Sequence, residues 1–303
     1  MRLCVETGGT SIRVGIIDKS AGETVPRDFE SIPNTSYEDV EASILKYVEK
    51  RSISKKITEI SVASFGPVGL DKSHSDYGKI LSIAGDAKAS WSNKSLIAEI
   101  ALKLGVDINN THLHTDVTGS AMGELIFGQH CHKTSSLVYI TVGTGVGIGV
   151  VVGGKPLKGR LHPEGGHNLV VKDERESLYP HFKGSCNYHN NCVENMVSNF
   201  SIAERLKCTI KDLSTISDEE PVWDMIAYYL AQLCLSITYT VSPHCIVIGG
   251  GILNRKSILP ATKAHFKKLN NEYVKIDDLE NYIRPTEVNE NGLHGCSAFE
   301  IDN

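Results

Sequence analysis

Apolar runs and glycine turns follow a plan along this chain that recurs on a long scale. Leu3 to Ile17 has an apolar strand, the turn Gly8-Gly9-Thr10, and a second strand carrying Val14, Ile16 and Ile17. Leu137 to Val152 repeats it, with Gly143-Thr144-Gly145 between an apolar strand and one carrying Ile148, Val150 and Val151. One strand–turn–strand unit thus opens each of two halves, which would face each other across a cleft. Tyr37 to Arg51 places Val40, Ile44, Leu45 and Val48 at helical spacing. Ile60 to Phe65 predicts a strand ending at Gly66-Pro67, and Val117 to Phe127 a helix following Asp116. Val222 to Val241 predicts a long, mostly apolar helix that stops before Pro243. Ile246-Val247-Ile248 then reads as a buried strand running into Gly249-Gly250-Gly251. Strands alternating with helices indicate an α/β fold.

Composition narrows the class. The 303 residues suffice for two domains and a large core. With 41% hydrophobic and 22% charged residues, disorder is not the expected state. A net charge of −5 argues against a nucleic-acid partner and against attachment to anionic lipid. No run approaches the roughly 18 apolar residues needed to cross a bilayer. Met1-Arg2-Leu3-Cys4-Val5-Glu6 enters a strand without a signal-peptide pattern, so the expected location is the cytoplasm. There the eight cysteines are expected as thiols or metal ligands, not disulfides.

Several segments carry chemistry. In Glu6-Thr7-Gly8-Gly9-Thr10, two glycines admit close approach of a ligand and the Thr10 hydroxyl can donate to a phosphate. The bland alternative is a hairpin turn. Gly143-Thr144-Gly145 repeats the device, and two such turns in corresponding places suit one nucleotide. Gly249-Gly250-Gly251 would be a third close approach, at the adenosine end, or else an ordinary strand-to-helix turn. Asp116 reads either as a helix N-cap or as the carboxylate a kinase needs to accept a hydroxyl proton. Glu164-Gly165-Gly166-His167 suits hydrogen bonding to neighbouring sugar hydroxyls, or is a surface loop. Cys186-x2-His189-x2-Cys192 has ligand types and spacing suited to tetrahedral zinc, with His167 and His181 as candidates for the fourth ligand.

Over essentially its whole length the chain resembles the ROK family of sugar kinases and sugar-responsive repressors, with bacterial-type fructokinases the best match. The resemblance rests on Glu6-Thr7-Gly8-Gly9-Thr10, Ser64-Phe65-Gly66-Pro67-Val68, Thr115-Asp116-Val117 with Gly123-Glu124, and Thr141 to Gly147. It extends through His162-Pro163-Glu164-x-Gly166-His167 and Cys186-x2-His189-x2-Cys192-x-Glu194. It implies an actin-like (ribonuclease H-like) ATPase fold with two α/β domains flanking an active-site cleft. The smaller domain would span 1–115 plus a C-terminal helix at about 290–303, and the larger 116–289. It implies ATP-dependent phosphorylation of a hexose, D-fructose first, at the 6-hydroxyl, with Asp116 as base, Mg2+, and a structural Zn2+. Gly66, Pro67, Thr115, Asp116, Glu164, His167 and Glu194 would contact the sugar. Gly8, Gly9, Thr10, Gly143, Thr144, Gly145, Gly249, Gly250 and Gly251 would contact ATP. His167, Cys186, His189 and Cys192 would hold the metal, and the expected assembly is a homodimer.

The chain departs from the family pattern at Ser11, where lysine is usual, and at Thr118, where asparagine is usual. Gly119-Ser120 replaces alanines, and Asn199-Phe200 replaces a Gly-Pro. The alternatives are a mannose or glucose kinase, a sugar-binding pseudokinase, or a repressor. The last needs a DNA-binding module before the first phosphate turn, which here begins at Gly8.

Overall fold

The computed structural model describes residues 1–26, 28–53, 56–81, 86–131 and 134–299. The chain opens with β1 (Arg2–Thr7), β2 (Ser11–Ile17), β3 (Phe29–Pro33), α1 (Tyr37–Lys50) and β4 (Glu59–Ser64). Next come α2 (Leu96–Leu104), β5 (Thr111–Thr115), α3 (Asp116–Phe127), β6 (Leu137–Val142), β7 (Val146–Val152) and β8 (Lys155–Pro156). After these lie α4 (Val193–Val197), α5 (Asn199–Leu206), α6 (Pro221–Thr240) and β9 (Cys245–Gly249). The order ends with α7 (Ile258–Asn270), α8 (Leu279–Tyr282), β10 (Ile283–Pro285) and α9 (Asn291–Ala298). The strands and helices expected from the periodicity are present, with ends shifted by a residue or two.

Two compact units result. One comprises Met1–His132, Gly153–Pro163 and Val288–Asn303, the other Lys133–Val152 and Glu164–Glu287. The chain therefore does not change units at 115 and 116, where the boundary was expected. The reason is the packing of α3 on α9. A Cβ on Gly119 would lie 3.0 Å from the Gly292 carbonyl oxygen, and one on Gly123 2.2 Å from that of Asn291. The two helices meet backbone to backbone, which only glycine permits, and α3 stays with its partner. Of the C-terminal helix expected at about 290–303, residues 300–303 lie outside the described residues.

In the first unit the strands run β3-β2-β1-β4-β5. β1 is antiparallel to β2 and parallel to β4, which is parallel to β5. The two-residue period sends Leu3, Val5, Ile12 and Val14 to one face, into a core with Val40, Ile44 and Val48 of α1 and Ile97 and Ile100 of α2. On the other face Glu6 lies against Gly292 of α9. The buried Arg2 fixes the end of that helix, donating to the Ser297 and Phe299 carbonyls at 3.0 and 2.6 Å. Arg2 also pairs with Glu59 at 2.5 Å. Burial by itself would raise the Glu59 carboxyl, but the Arg2 hydrogen bond and charge hold it at about 2.

The second unit repeats the scheme. Its strands run β10-β9-β6-β7, with β6 antiparallel to β7 and parallel to β9. Val138, Ile140, Ile148 and Val150 pack with Met225, Ile226, Tyr229 and Leu233 of α6. α6 opens with Pro221 in its first turn, where a missing N–H costs nothing. Among the described residues no helix is long and apolar enough to cross a membrane.

Candidate active site

Strand register collects the motifs of the first unit. Thr7 pairs with Ser64, and Ser64 with Thr115, so β1, β4 and β5 end side by side. Those ends lead directly into Gly8-Gly9-Thr10, into Gly66-Pro67 through Phe65, and into Asp116. In open α/β sheets, ligands bind beyond the carboxyl ends of parallel strands. The first turn is closed by Gly8 N–H to the Ser11 carbonyl at 2.9 Å. Asn34 braces it from outside, its N–H donating to Thr10 O at 3.0 Å and its Nδ2 to Gly8 O at 2.7 Å. The Gly66–Pro67 peptide is cis. Val68 N–H donates to His162 Nε2 at 3.3 Å, and the same ring lies against Gly66.

Asp116 is the first residue of α3, not its cap. The cap is Thr115, whose Oγ1 accepts Thr118 N–H at 3.2 Å and lies 2.7 Å from Thr118 Oγ1. Thr118, in place of the usual asparagine, thus completes the cap. Asp116 Oδ1 accepts Val117 N–H at 2.9 Å, and the residue is half-buried. On β1, burial pushes the Glu6 carboxyl up, against the pull of the Arg13 guanidinium at 3.2 Å.

In the second unit Gly143 N–H closes the other turn on the Gly145 carbonyl at 3.0 Å. Val146 N–H donates to Glu194 Oε2 at 3.0 Å, and Asn199 N–H to Gly143 O at 2.8 Å. β9 ends alongside, Gly249 pairing with Thr141. Two of the three glycines there are explained within the protein. A Cβ on Gly249 would come within 2.0 Å of the Tyr139 hydroxyl. Gly250 holds φ 88°, and its Cβ would reach the Val142 carbonyl at 2.3 Å. Gly251 instead lines a cavity of about 400 Å³ with Asn199, Ser214, Trp223, Asn254 and Arg255. Arg255 stacks 4.3 Å from the Trp223 ring centre and pairs with Asp218. The volume falls in the range of small-ligand pockets.

The metal motif assembles fully. Donor atoms of His167, Cys186, His189 and Cys192 all lie within 4.8 Å of one another. His167 Nδ1 is 3.8 Å from Cys186 Sγ and 3.7 Å from Cys192 Sγ, and His189 Nδ1 is 3.7 Å from Cys186 Sγ. Zinc bonded to sulfur at about 2.3 Å and nitrogen at about 2.0 Å, at tetrahedral angles, separates such atoms by about 3.5 Å. The donor types and these three separations suit zinc. His181 is engaged elsewhere, with Nε2 3.0 Å from the Glu204 carbonyl. Burial pushes the Cys192 thiol up to about 12, with the Asn195 N–H pulling it back.

A model of the ROK family matches residues 2–302. The chain belongs to the ROK family. It is 31% identical over 298 residues to a fructokinase of Lactococcus lactis subsp. cremoris, covering 98% of this chain and 95% of that protein. A fructokinase of Zymomonas mobilis is 29% identical over 303 residues, covering 98% and 95%. Among solved structures, a ROK hexokinase from Thermus thermophilus is similar at a TM-score of 0.75 with 18% identity, covering 97% and 96%. A ROK glucokinase from Streptomyces griseus, solved with glucose and AMPPNP, gives 0.70 with 18% identity, covering 98% of both chains. These neighbours bear out the actin-like ATPase fold built from α/β units.

Three further residues brace these turns and the metal loop, and the sequence reading gave none of them that role. Asn34 braces the first turn, and His162 supports the Gly-Pro turn. Asn195 is fully buried under the metal loop. Its Oδ1 accepts Cys186 N–H at 2.8 Å, and its Nδ2 donates to Lys183 O and Asn190 O at 3.2 and 3.1 Å. Of these, only His162 had a signal, as the start of the His-Pro-Glu segment.

Proposed function

We propose that this ROK-family sugar kinase uses ATP to phosphorylate D-fructose at its 6-hydroxyl. The reading is carried by Asp116, a carboxylate at the end of β5 level with the glycine turn after β1 and the Gly-Pro turn of Gly66 and Pro67 after β4. Asp116 accepts the hydroxyl proton as the oxygen attacks the γ-phosphorus and ADP leaves. Gly8, Gly9, Thr10, Gly143, Thr144 and Gly145 hold the phosphates, and the adenosine occupies the cavity that includes Gly251, behind Gly249 and Gly250. Mg2+ bound with ATP neutralises charge on the phosphates.

Thr115, Glu164, His167 and Glu194 complete the sugar contacts. His167 Nδ1 faces the thiols, and its Nε2 serves a sugar hydroxyl; coordination holds the ring in that orientation. His167, Cys186, His189 and Cys192 would hold a zinc ion, and four protein ligands would make it structural, with no position left for a reacting water. Leu169, Val171 and Leu178 before the metal motif and Tyr188 within it are exposed apolar side chains suited to the interface of a homodimer. The choice of fructose over mannose and glucose is supported by the fructokinase names of relatives at 31% and 29% identity. The test is ATP-dependent phosphoryl transfer to fructose, mannose and glucose with the purified protein. Fructose should give the highest kcat/KM and fructose 6-phosphate as product. Equal or better use of glucose would overturn the sugar assignment, and no transfer to any hexose would overturn the kinase.

A further inference from the structure

We infer that Glu194 is a positioning residue for the nucleotide: its carboxylate holds the second glycine turn in its phosphate-binding form. This rests on the kinase reading above, in which Glu194 was given only to the sugar. Glu194 Oε2 accepts Val146 N–H at 3.0 Å, and a Cβ on Gly145 would sit 2.7 Å from the same oxygen. The carboxylate thus lies directly over the turn. A trans peptide sends its N–H and C=O in opposite directions. Gripping Val146 N–H therefore aims the Gly145 carbonyl the other way, where it accepts Gly143 N–H at 3.0 Å and closes the turn. Without that grip the Gly145–Val146 peptide keeps only the weaker hold of the Gly143 N–H, and its carbonyl dipole can turn towards the phosphates.

The support behind Glu194 is rigid. It stands in the first turn of α4, which Cys192 caps by accepting Asn195 N–H at 3.4 Å. α5 grips the other end of the turn through Asn199 N–H and Gly143 O at 2.8 Å. Among the described residues the hydrogen bond to the Glu194 carboxylate falls on Oε2, which leaves Oε1 for the sugar. One side chain then orders both substrates' sites.

Simple electrostatics predicts the reverse effect, which makes the inference decidable. Removing an anion beside bound phosphates should tighten binding by Coulomb's law, whereas removing a positioning group should weaken it. The experiment is calorimetric titration of the full chain with Mg·ADP, without sugar, for wild type, Glu194→Ala and Glu194→Gln. Ala should bind about tenfold more weakly, the loss of one hydrogen bond to a charged acceptor. Gln keeps an acceptor for Val146 N–H without the charge and should restore wild-type affinity or better. Ala binding as tightly as wild type, or Gln as weakly as Ala, overturns the inference. Should Glu194→Ala fail to fold by circular dichroism, Glu194→Asp replaces it, with the charge retained but the reach lost, and should show the same weakening. A wild type that binds ADP yet phosphorylates no hexose would sink the sugar-kinase reading, while the ADP affinities would still decide this one.

Discussion

The two glycine hairpins share a topology but are braced by different chemistry. Each joins an antiparallel pair whose first strand also pairs in parallel with the strand beyond. The first turn is held by Asn34, a neutral side chain from the segment after β3. The second is held by the Glu194 carboxylate and by Asn199 at the start of α5. Both holders of the second turn come from the stretch after the metal motif. Among the described residues, the brace on the first turn comes from its own sheet edge. The repeat in the chain thus supplies the hairpins, and residues outside the repeat determine what each hairpin responds to. In the first unit the strand ends lead into the Asp116 carboxylate. In the second, the starts of α4 and α5 carry the grip.

The comparison can be broken at several levels. The largest effect is expected at the base: Asp116→Asn should lower kcat at least about 100-fold and move the sugar KM far less. Near wild-type turnover would remove the chemistry from the first unit. Next, Cys186→Ser and His189→Ala should lose the metal and raise the sugar KM on the order of tenfold, read by metal analysis with kinetics. Full activity in a metal-free variant would detach the metal loop from the site. Because burial pushes the Cys192 thiol up to about 12, metal must displace its proton, so metal retention should fall as pH is lowered.

A smaller effect tests the asymmetry itself. Asn34→Ala should raise the KM for ATP about fivefold, the worth of a lost hydrogen bond, and leave the sugar KM in place. A matching rise in the sugar KM would mean that both turns report to the sugar. The smallest effect concerns Glu59, which braces Arg2 and, through it, α9. Its folded-state carboxyl lies at about 2, below the unfolded value of about 4.3. A depressed carboxylate stabilises the fold above the unfolded value, and that contribution is lost as pH falls from about 4.3 towards 2. Solvent screening limits it to about 1 kcal/mol. Thermal melts of Glu59→Gln should therefore lie slightly below wild type at pH 7 and converge with it near pH 2. A constant gap across that range would assign the loss to packing.

Much of the site was legible because its signals are local. Glycine pairs between period-two strands marked both turns, and ligand spacing marked Cys186, His189 and Cys192. The residues left His167 and His181 open as the fourth ligand; the resemblance favoured His167, and His167 is the one among the donors. Asp116 was located, but its rank in the helix was not, because a threonine and an aspartate in succession can each cap. Gly249 and Gly250 were read as ligand contacts, and the structure gives a second reason for each to be glycine. Tyr139 and Val142 leave no room for a Cβ there, a packing demand that a linear pattern of glycines does not reveal.

The sequence by itself determined the element types, the family and the chemistry-bearing residues, since each depends on neighbours within a few positions. Only the tertiary structure decided how the chain divides and what holds the site. Helix α3 belongs with α9 because Gly119 and Gly123 let two backbones touch across more than 160 residues of chain. Asn34, His162 and Asn195 matter because register and packing bring a polar group within hydrogen-bond reach of a distant turn. A hydrogen bond depends on position to within a few tenths of an ångström, and residues far apart in a sequence carry no record of that distance.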